Sequence, residues 1–324
     1  MNLRYSAWAM MLAAGAVMAA APARADAGPK KHQSRKAQMR THMPSGYIAG
    51  TRLRCFMTRI SEFPQRIVCL TEETTETLYL LGEDWRIVGI SGFTVRPPRA
   101  RREKPRVSAF TSARTERIIE LQPDLVLGFS DLQADIAAEL VRAGLEVHVF
   151  NHRSVAEILR MIRTLGGMIG CEAKAAALSA ELEAGLAEVR ARAAALARRP
   201  RVYFEEWDDP LISGIRWVSE LVTLAGGEDC FPELAAESLG RNRIIADPLE
   251  VPRRAPDIVL ASWCGKKFRP ERLAARPGWQ DIPAVRAGYL REIKSSIILQ
   301  PGPAALTDGV RAIQGVITEW AGQR

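Results

Sequence analysis

Residues 172–198, EAKAAALSAELEAGLAEVRARAAALAR, decide how this chain is organised. Leu178, Leu182, Leu186, Val189, Ala193 and Leu196 recur at steps of three and four, which keeps one face of an α-helix apolar. At ~1.5 Å per residue such a helix runs roughly 40 Å, and Pro200 stops it. An ordinary long helix lying against one domain would need no such length. Strand-like and helix-like segments alternate on both sides of it, so the stretch reads as a connector packed on two α/β blocks.

Working back from the helix, buried-strand runs fall at Arg66–Leu70, Arg86–Ile90, Asp124–Gly128 and Leu145–Phe150. Helices at Glu73–Leu81, Thr115–Gln122 and Asp131–Ala143 separate them, and Gly82 and Gly144 stop the first and third. Arg96-Pro97-Pro98 suits neither a helix nor a central strand and is a loop. Ser154 with Glu157 forms a capping box that opens a helix to about Met168. Working forward, strands are expected at Arg201–Phe204, Asp257–Ala261 and Tyr289–Ile293, with helices at Trp217–Ala225, from Asp247-Pro248, and at Pro303–Trp320. Leu121-Gln122-Pro123-Asp124-Leu125-Val126-Leu127 is echoed by Arg254-Ala255-Pro256-Asp257-Ile258-Val259-Leu260. The expected fold is therefore α/β, with two lobes of similar build whose mostly parallel sheets are flanked by helices and joined by one long helix.

With 324 residues the chain has room for two such lobes. Its formal charge of +8 points superficially to nucleic acid. Residues 1–60, however, hold ten of the 45 Lys and Arg and only one acid, Asp26. The remainder carries 35 basic and 36 acidic residues, so the folded part lacks the basic surface that nucleic-acid binding requires. Arg4, the apolar stretch Ala7–Ala21 and Ala23-Arg24-Ala25 read as a cleaved secretory signal over 1–25. Residues 26–63 read as a basic disordered linker, followed by lobes at 64–170 and 200–324 around the linker helix at 171–199. A cytoplasmic protein starting near Met57 is the alternative. Cys55, Cys69, Cys171, Cys230 and Cys264 are odd in number and have no CxxC spacing, and Cys69 and Cys171 read as small buried apolar residues.

The ordered series Arg66–Leu70, a Thr-Glu helix ending in Leu-Gly, Val88-Gly89-Ile90-Ser91, Pro97-Pro98, Val107-Ser108, Glu116–Ile119 and Pro123–Val126 resembles the periplasmic iron-siderophore and cobalamin-binding family. The resemblance spans about residues 64–322, and Pro210–Gly214, Ala225–Glu228 and Glu250–Ala261 are most similar to its cobalamin branch. It implies a solute-binding protein with a rigid helical linker, which takes cobalamin or a related corrinoid into a cleft between lobes. It also implies delivery to an inner-membrane ABC permease from the periplasm. Such a protein is expected to be a monomer with no cofactor of its own, the corrinoid being cargo. Iron-siderophore or haem binding by the same fold, and a cytoplasmic corrinoid-handling protein or enzyme, remain as alternatives.

In that family one glutamate on each lobe docks onto permease arginines, and the matching positions are Glu116 and Glu250. A first-turn acid also favours the helix dipole, so either acid has a purely structural reading as well. Aromatics on loops after strands line the family's cleft. The aligned positions are Phe93, Phe110 and Phe129 in the first lobe, with Leu211 where an aromatic is expected in the second. Glu205–Asp209 with Trp207, Ser262–Lys267 with Trp263, and the late Ser295-Ser296 and Gln300-Pro301-Gly302 are further candidates for the rim. Core packing is the bland reading of each lone aromatic. Cys264 has no neighbouring His or Cys with which to build a metal site. No GxSxG, HExxH, Walker or GxGxxG motif is present, and His148 and His152 show no catalytic partner, so no catalytic residue is assigned.

Overall fold

Parallel strands covered on both faces read as unbroken apolar runs, and the strands of this protein obey that rule. The computed structural model describes residues 61–322. The expected signal, nearly all of the basic linker, Cys55 and Met57 lie outside them. The first sheet contains β1 (Ile67–Cys69), β2 (Ile87–Ser91), β3 (Arg106–Ala109), β4 (Ser112–Ala113), β5 (Leu125–Phe129) and β6 (Val147–Phe150), in the order β4-β3-β2-β1-β5-β6. All pairings are parallel except β3 with β4. The second sheet contains β7 (Arg201–Asp208), β8 (Leu211–Ser213), β9 (Glu228–Asp229), β10 (Ile258–Ala261) and β11 (Leu290–Glu292). Its order is β11-β10-β7-β8, with β9 also paired to β7, and only β7–β8 is antiparallel.

The helices that position the site are α1 (Glu72–Leu80), α2 (Thr115–Glu120), α3 (Ala134–Arg142), α4 (Val155–Met168), α5 (Glu172–Ala194), α6 (Arg216–Leu224), α7 (Glu250–Arg254) and α8 (Val310–Gly322). Ser154 caps α4 through the reciprocal bonds of a capping box with Glu157. The connector α5 packs on α4 from the first lobe and on α6 and α8 from the second. Its buried face is Ala175, Ser179, Leu182, Leu186, Val189 and Ala193. Leu178 and Leu196 are half-buried at its margins. Gly166 lets α4 approach closely, since a Cβ there would sit 2.2 Å from the Cβ of Ala175. The helix ends four residues earlier than the apolar spacing predicts, and Leu196 instead tucks against Gly226.

The internal echo has a structural cause. Gln122 and Ala255, each before a proline, adopt positive φ of 48° and 45°. Each turn swings the following aspartate under the first strand of its lobe. Asp124 accepts the backbone N–H groups of Gln65 and Arg66 at 2.7 and 2.8 Å, and Asp257 accepts that of Arg201 at 2.9 Å. The repeated Pro-Asp thus ties a turn to the start of β1 and of β7.

Three expectations are corrected. Glu205–Asp208 is not a loop after a strand: β7 continues through Asp208 because β8 pairs with it. The helix placed at Asp247-Pro248 begins at Glu250, with Asp247 capping the turn by accepting Leu249 N–H at 3.0 Å. The terminal helix opens with one wide turn at Ala305–Gly309 before α8.

Candidate ligand-binding cleft

The carboxyl ends of the parallel strands face a cavity of about 340 Å³, lined from both lobes and partly open to solvent. Phe93, Phe110 and Phe129 reach it from the loops after β2 and β3 and from the end of β5. Trp207, Trp217 and Ile215 come from the second lobe. The lining is mostly apolar, with polar groups concentrated in a few places. Phe93 is the most accessible ring, 41% exposed. Phe129 and Trp207 are nearly buried and held from behind. The Arg153 guanidinium lies 4.8 Å from the Phe129 ring centre, and the Lys266 ammonium 4.1 Å from that of Trp207. Trp207 donates to Asp209 O at 2.8 Å, and Trp217 to Ile298 O at 2.8 Å, so both indoles are fixed.

The structure brings Phe93, Phe110, Phe129, Trp207 and Ser295 together around this cavity. It does not bring Leu211 and Trp263 there. Leu211 belongs to the second-lobe core together with Tyr203 and Trp207. Trp263 turns inward, stacks edge-on against Phe268 with centroids 5.1 Å apart, and donates to Glu205 Oε1 at 2.9 Å. Glu205 is fully buried and is gripped by Arg276 through two hydrogen bonds of 2.5 and 3.0 Å. That buried network claims Trp263, and the next residue, Cys264, lines the cavity in its place. Burial pushes the Cys264 thiol up to about 11, so it stays protonated at neutral pH despite its hydrogen bond with Ser295.

Sequence reasoning placed Glu206, within Glu205–Asp209, at the rim, and this residue lines the cavity, but it missed Glu72, Glu73 and Arg243. Glu72 and Glu73 open α1 directly after β1, and their side chains sit in the cavity wall although 7% and 1% exposed. Burial raises Glu72 to about 7 and Glu73 to about 8, against hydrogen bonds from Ser91 and Thr71 that act the other way. On the first lobe Arg153 bonds His152 O at 3.0 Å and Ser130 Oγ at 2.9 Å. On the second, Arg243 holds Glu206 through two bonds of 2.8 and 3.0 Å. The signal that could have found Glu72 and Glu73 was their place at the carboxyl end of β1, where α/β folds bind ligands.

The segment after β11 closes the base of the cleft and ties it to the first lobe. His152 Nε2 meets Pro301 O at 2.7 Å, and Ala304 N–H donates to Glu76 Oε2 at 3.1 Å. Gly302 fits against Glu73, where a Cβ would sit 2.7 Å from the glutamate's Cβ. Burial lowers His152 to about 4, so the ring is neutral and serves as a strut. Among the described residues no group of His, Cys, Asp and Glu is arranged to hold a metal ion.

Residues 67–297, most of both lobes and the whole connector, match the family described as periplasmic binding protein. The chain belongs to the periplasmic binding protein family. It is 24% identical over 263 residues to an uncharacterised ABC transporter substrate-binding lipoprotein of Bacillus subtilis, covering 78% of this chain and 80% of that one. It is 23% identical over 256 residues to the vitamin B12-binding protein of Vibrio parahaemolyticus, covering 77% and 88%. Among solved structures, the apo periplasmic haem-binding protein of Roseiflexus aligns with a TM-score of 0.68 at 24% identity, over 78% of this chain and 99% of that one. These relatives are binding proteins rather than enzymes, and the two-lobed fold of the family is the one seen here.

Glu116 is exposed in the first turn of α2 and makes no ion pair among the described residues. Glu250 occupies the first turn of α7 but is already engaged, with Arg253 Nη1 at 2.5 Å and Arg254 Nε at 3.8 Å. Leu249 directly precedes Glu250 and Ile119 lies one helical turn after Glu116, each 43% exposed.

Proposed function

We propose that this protein captures cobalamin or a related corrinoid between its lobes and hands it to an ABC permease of the inner membrane from the periplasmic side. One observation carries the reading: a mostly apolar cavity, lined by aromatics of both lobes, with a few fixed polar groups. A corrinoid is broad, flat-faced and rimmed by amides, so rings suit its faces and hydrogen-bonding groups its edge. Phe93, Phe110, Phe129 and Trp207 supply the apolar contacts, and Ser295 a hydroxyl. Glu116 and Glu250 are the docking acids. The protein works as a monomer and carries its ligand as cargo, with no cofactor of its own.

Haem binding is the second reading, favoured by the similarity to the Roseiflexus protein. Among the described residues the cavity lining contains no His, Tyr or Met, and its Cys264 is held as a neutral thiol, so ready iron ligands are missing from that lining. A corrinoid brings its own axial ligands and needs none from the wall. Calorimetric titration with cyanocobalamin tests the proposal against haemin. Saturable binding of the corrinoid at low micromolar concentration or tighter is expected, and silence at high micromolar concentration sinks the corrinoid reading.

A further inference from the structure

The cavity wall holds one sector made almost entirely of hydrogen-bond acceptors. Glu72 and Glu73 come from the first turn of α1. Gln300 lines the cavity from the second lobe's closing segment, and its Oε1 is buried without a hydrogen-bond partner. Gly302 packs directly on Glu73 and donates its N–H to Gln300 O at 2.8 Å, so these acceptors are neighbours. Ser91 and Thr71 each give the glutamates one hydrogen bond, so the buried acceptor left without a donor is Gln300 Oε1, which is costly unless a ligand brings a donor to it.

We propose that Glu72, Glu73 and Gln300 form a specificity ledge that accepts a ligand edge bearing neutral N–H donors, such as primary amides, and rejects an edge bearing carboxylates. The proposal rests on the corrinoid reading and narrows it. A primary amide donates to each carbonyl or carboxyl oxygen of the ledge and accepts from a protonated glutamate. A carboxylate donates nothing, and must give up its hydration beside two acids. The same ledge therefore separates an amide-rimmed corrinoid from a carboxylate-edged tetrapyrrole of similar size.

Besides the two glutamates and Glu206, three arginines line the cavity, Arg153 from the first lobe and Arg241 and Arg243 from the second, and Arg241 is the exposed one. Arg153 is the cation felt by Glu73 from its own lobe, but its terminal nitrogens are engaged with His152 O and Ser130. From the second lobe Cys264 faces Glu72, and Glu206 lies near that thiol but is paired with Arg243. Behind the ledge Cys69, a buried thiol pushed up to about 12, stays neutral. No lysine, and no arginine ion pair to either glutamate, appears among the described residues at the ledge. Ionising Glu72 and Glu73 at mildly alkaline pH thus adds negative charge to the wall that no ion pair among the described residues neutralises.

The test uses the full chain with cyanocobalamin and the set of monoacids made by hydrolysing one peripheral amide at a time. These ligand carboxyls are already ionised at pH 6, so any change between pH 6 and 8.5 comes from the protein. At least one monoacid is expected to bind ten-fold or more weaker than the parent at pH 8.5, with a smaller gap at pH 6. In the double variant E72Q/E73Q the gap between parent and monoacid is expected to shrink to within about three-fold. Monoacids that all bind like the parent at both pH values overturn the ledge, as does a gap unchanged in E72Q/E73Q. Should the variant fail to fold, the wild-type pH trend decides alone: no widening from pH 6 to 8.5 overturns the proposal. Failure of the parent corrinoid itself to bind is a different result, and removes the corrinoid reading together with the ledge.

Discussion

Replacing both ledge acids by glutamine should change the stability of the ligand-free protein in a way that depends on pH. Glu72 and Glu73 are raised from 4.5 to about 7 and about 8. A carboxyl whose folded value lies above its unfolded value binds more protons when folded. Its contribution is therefore fully present below pH 4.5 and is lost as pH rises through the folded value. A tenfold change in a carboxyl's proton affinity on folding is worth about 1.4 kcal/mol, so the two glutamates together set an upper bound of roughly 8 kcal/mol lost by about pH 9. Cavity water and side-chain relaxation reduce this, and a loss of ~2–4 kcal/mol is the expectation.

For roughly 260 folded residues, 1 kcal/mol corresponds to about 2 °C in Tm. The E72Q/E73Q variant should thus melt within about 1–2 °C of wild type at pH 5 and ~4–8 °C above it at pH 9. Glutamine keeps an acceptor for the hydroxyl of Thr71, which meets Glu73 at 2.5 Å, so the comparison isolates the charge. Circular-dichroism melts of the apo protein in matched ionic strength across pH 5–9 make the measurement. A difference between variant and wild type that stays constant over this range would falsify the burial argument, because it would mean that both carboxylates are ionised already at pH 5.

Three further outcomes follow from the packing and the surface. R276M should lose ~3–5 kcal/mol in urea unfolding, because it strands the fully buried Glu205, and a loss under ~1 kcal/mol would show that water reaches that carboxylate. G166A should lose about 1–3 kcal/mol, since its methyl collides with Ala175 where α4 meets α5, and wild-type stability in G166A would mean that the helices part easily. E116A and E250A should each cut stimulation of the permease's ATPase several-fold in proteoliposomes without changing corrinoid affinity, and a parallel loss of affinity would place these acids at the ligand instead.

The connector and the sheets were legible because their signals are local. Leu182, Leu186, Val189 and Ala193 mark a face by spacing alone, and all four are buried on it. The repeated Pro-Asp was visible as an echo, although its purpose, capping the neighbouring strand, needed the fold. What stayed hidden depends on partners distant in sequence. Glu205 reads as one more acid in a polar run until Arg276, 71 residues on, is seen to grip it. The same network turns Trp263 away from the cavity, so an aromatic in a post-strand loop became core. Glu72 and Glu73 look like ordinary first-turn acids, which stabilise a helix end wherever they fall. Their burial involves residues far along the chain: Gly302 packs on Glu73, and Cys264 lies by Glu72.

That contrast bears on the docking acids. Sequence places Glu116 and Glu250 at equivalent points of the echo, yet their surroundings differ. Glu116 is exposed with no ion pair among the described residues, while Arg253 bridges Glu250 and Asp247, at 2.5 and 2.7 Å. For a permease arginine to take Glu250 it must displace Arg253, whereas Glu116 is available at once. Exposed pairs of this kind are worth at most about 1 kcal/mol, so the exchange is cheap but not free. On the proposed docking, the first lobe would have the readier contact, and the second would engage by swapping one arginine for another. A cycle of single and double variants of Glu250 and Arg253 separates the two steps: R253A should strengthen docking through Glu250 and leave docking through Glu116 unchanged.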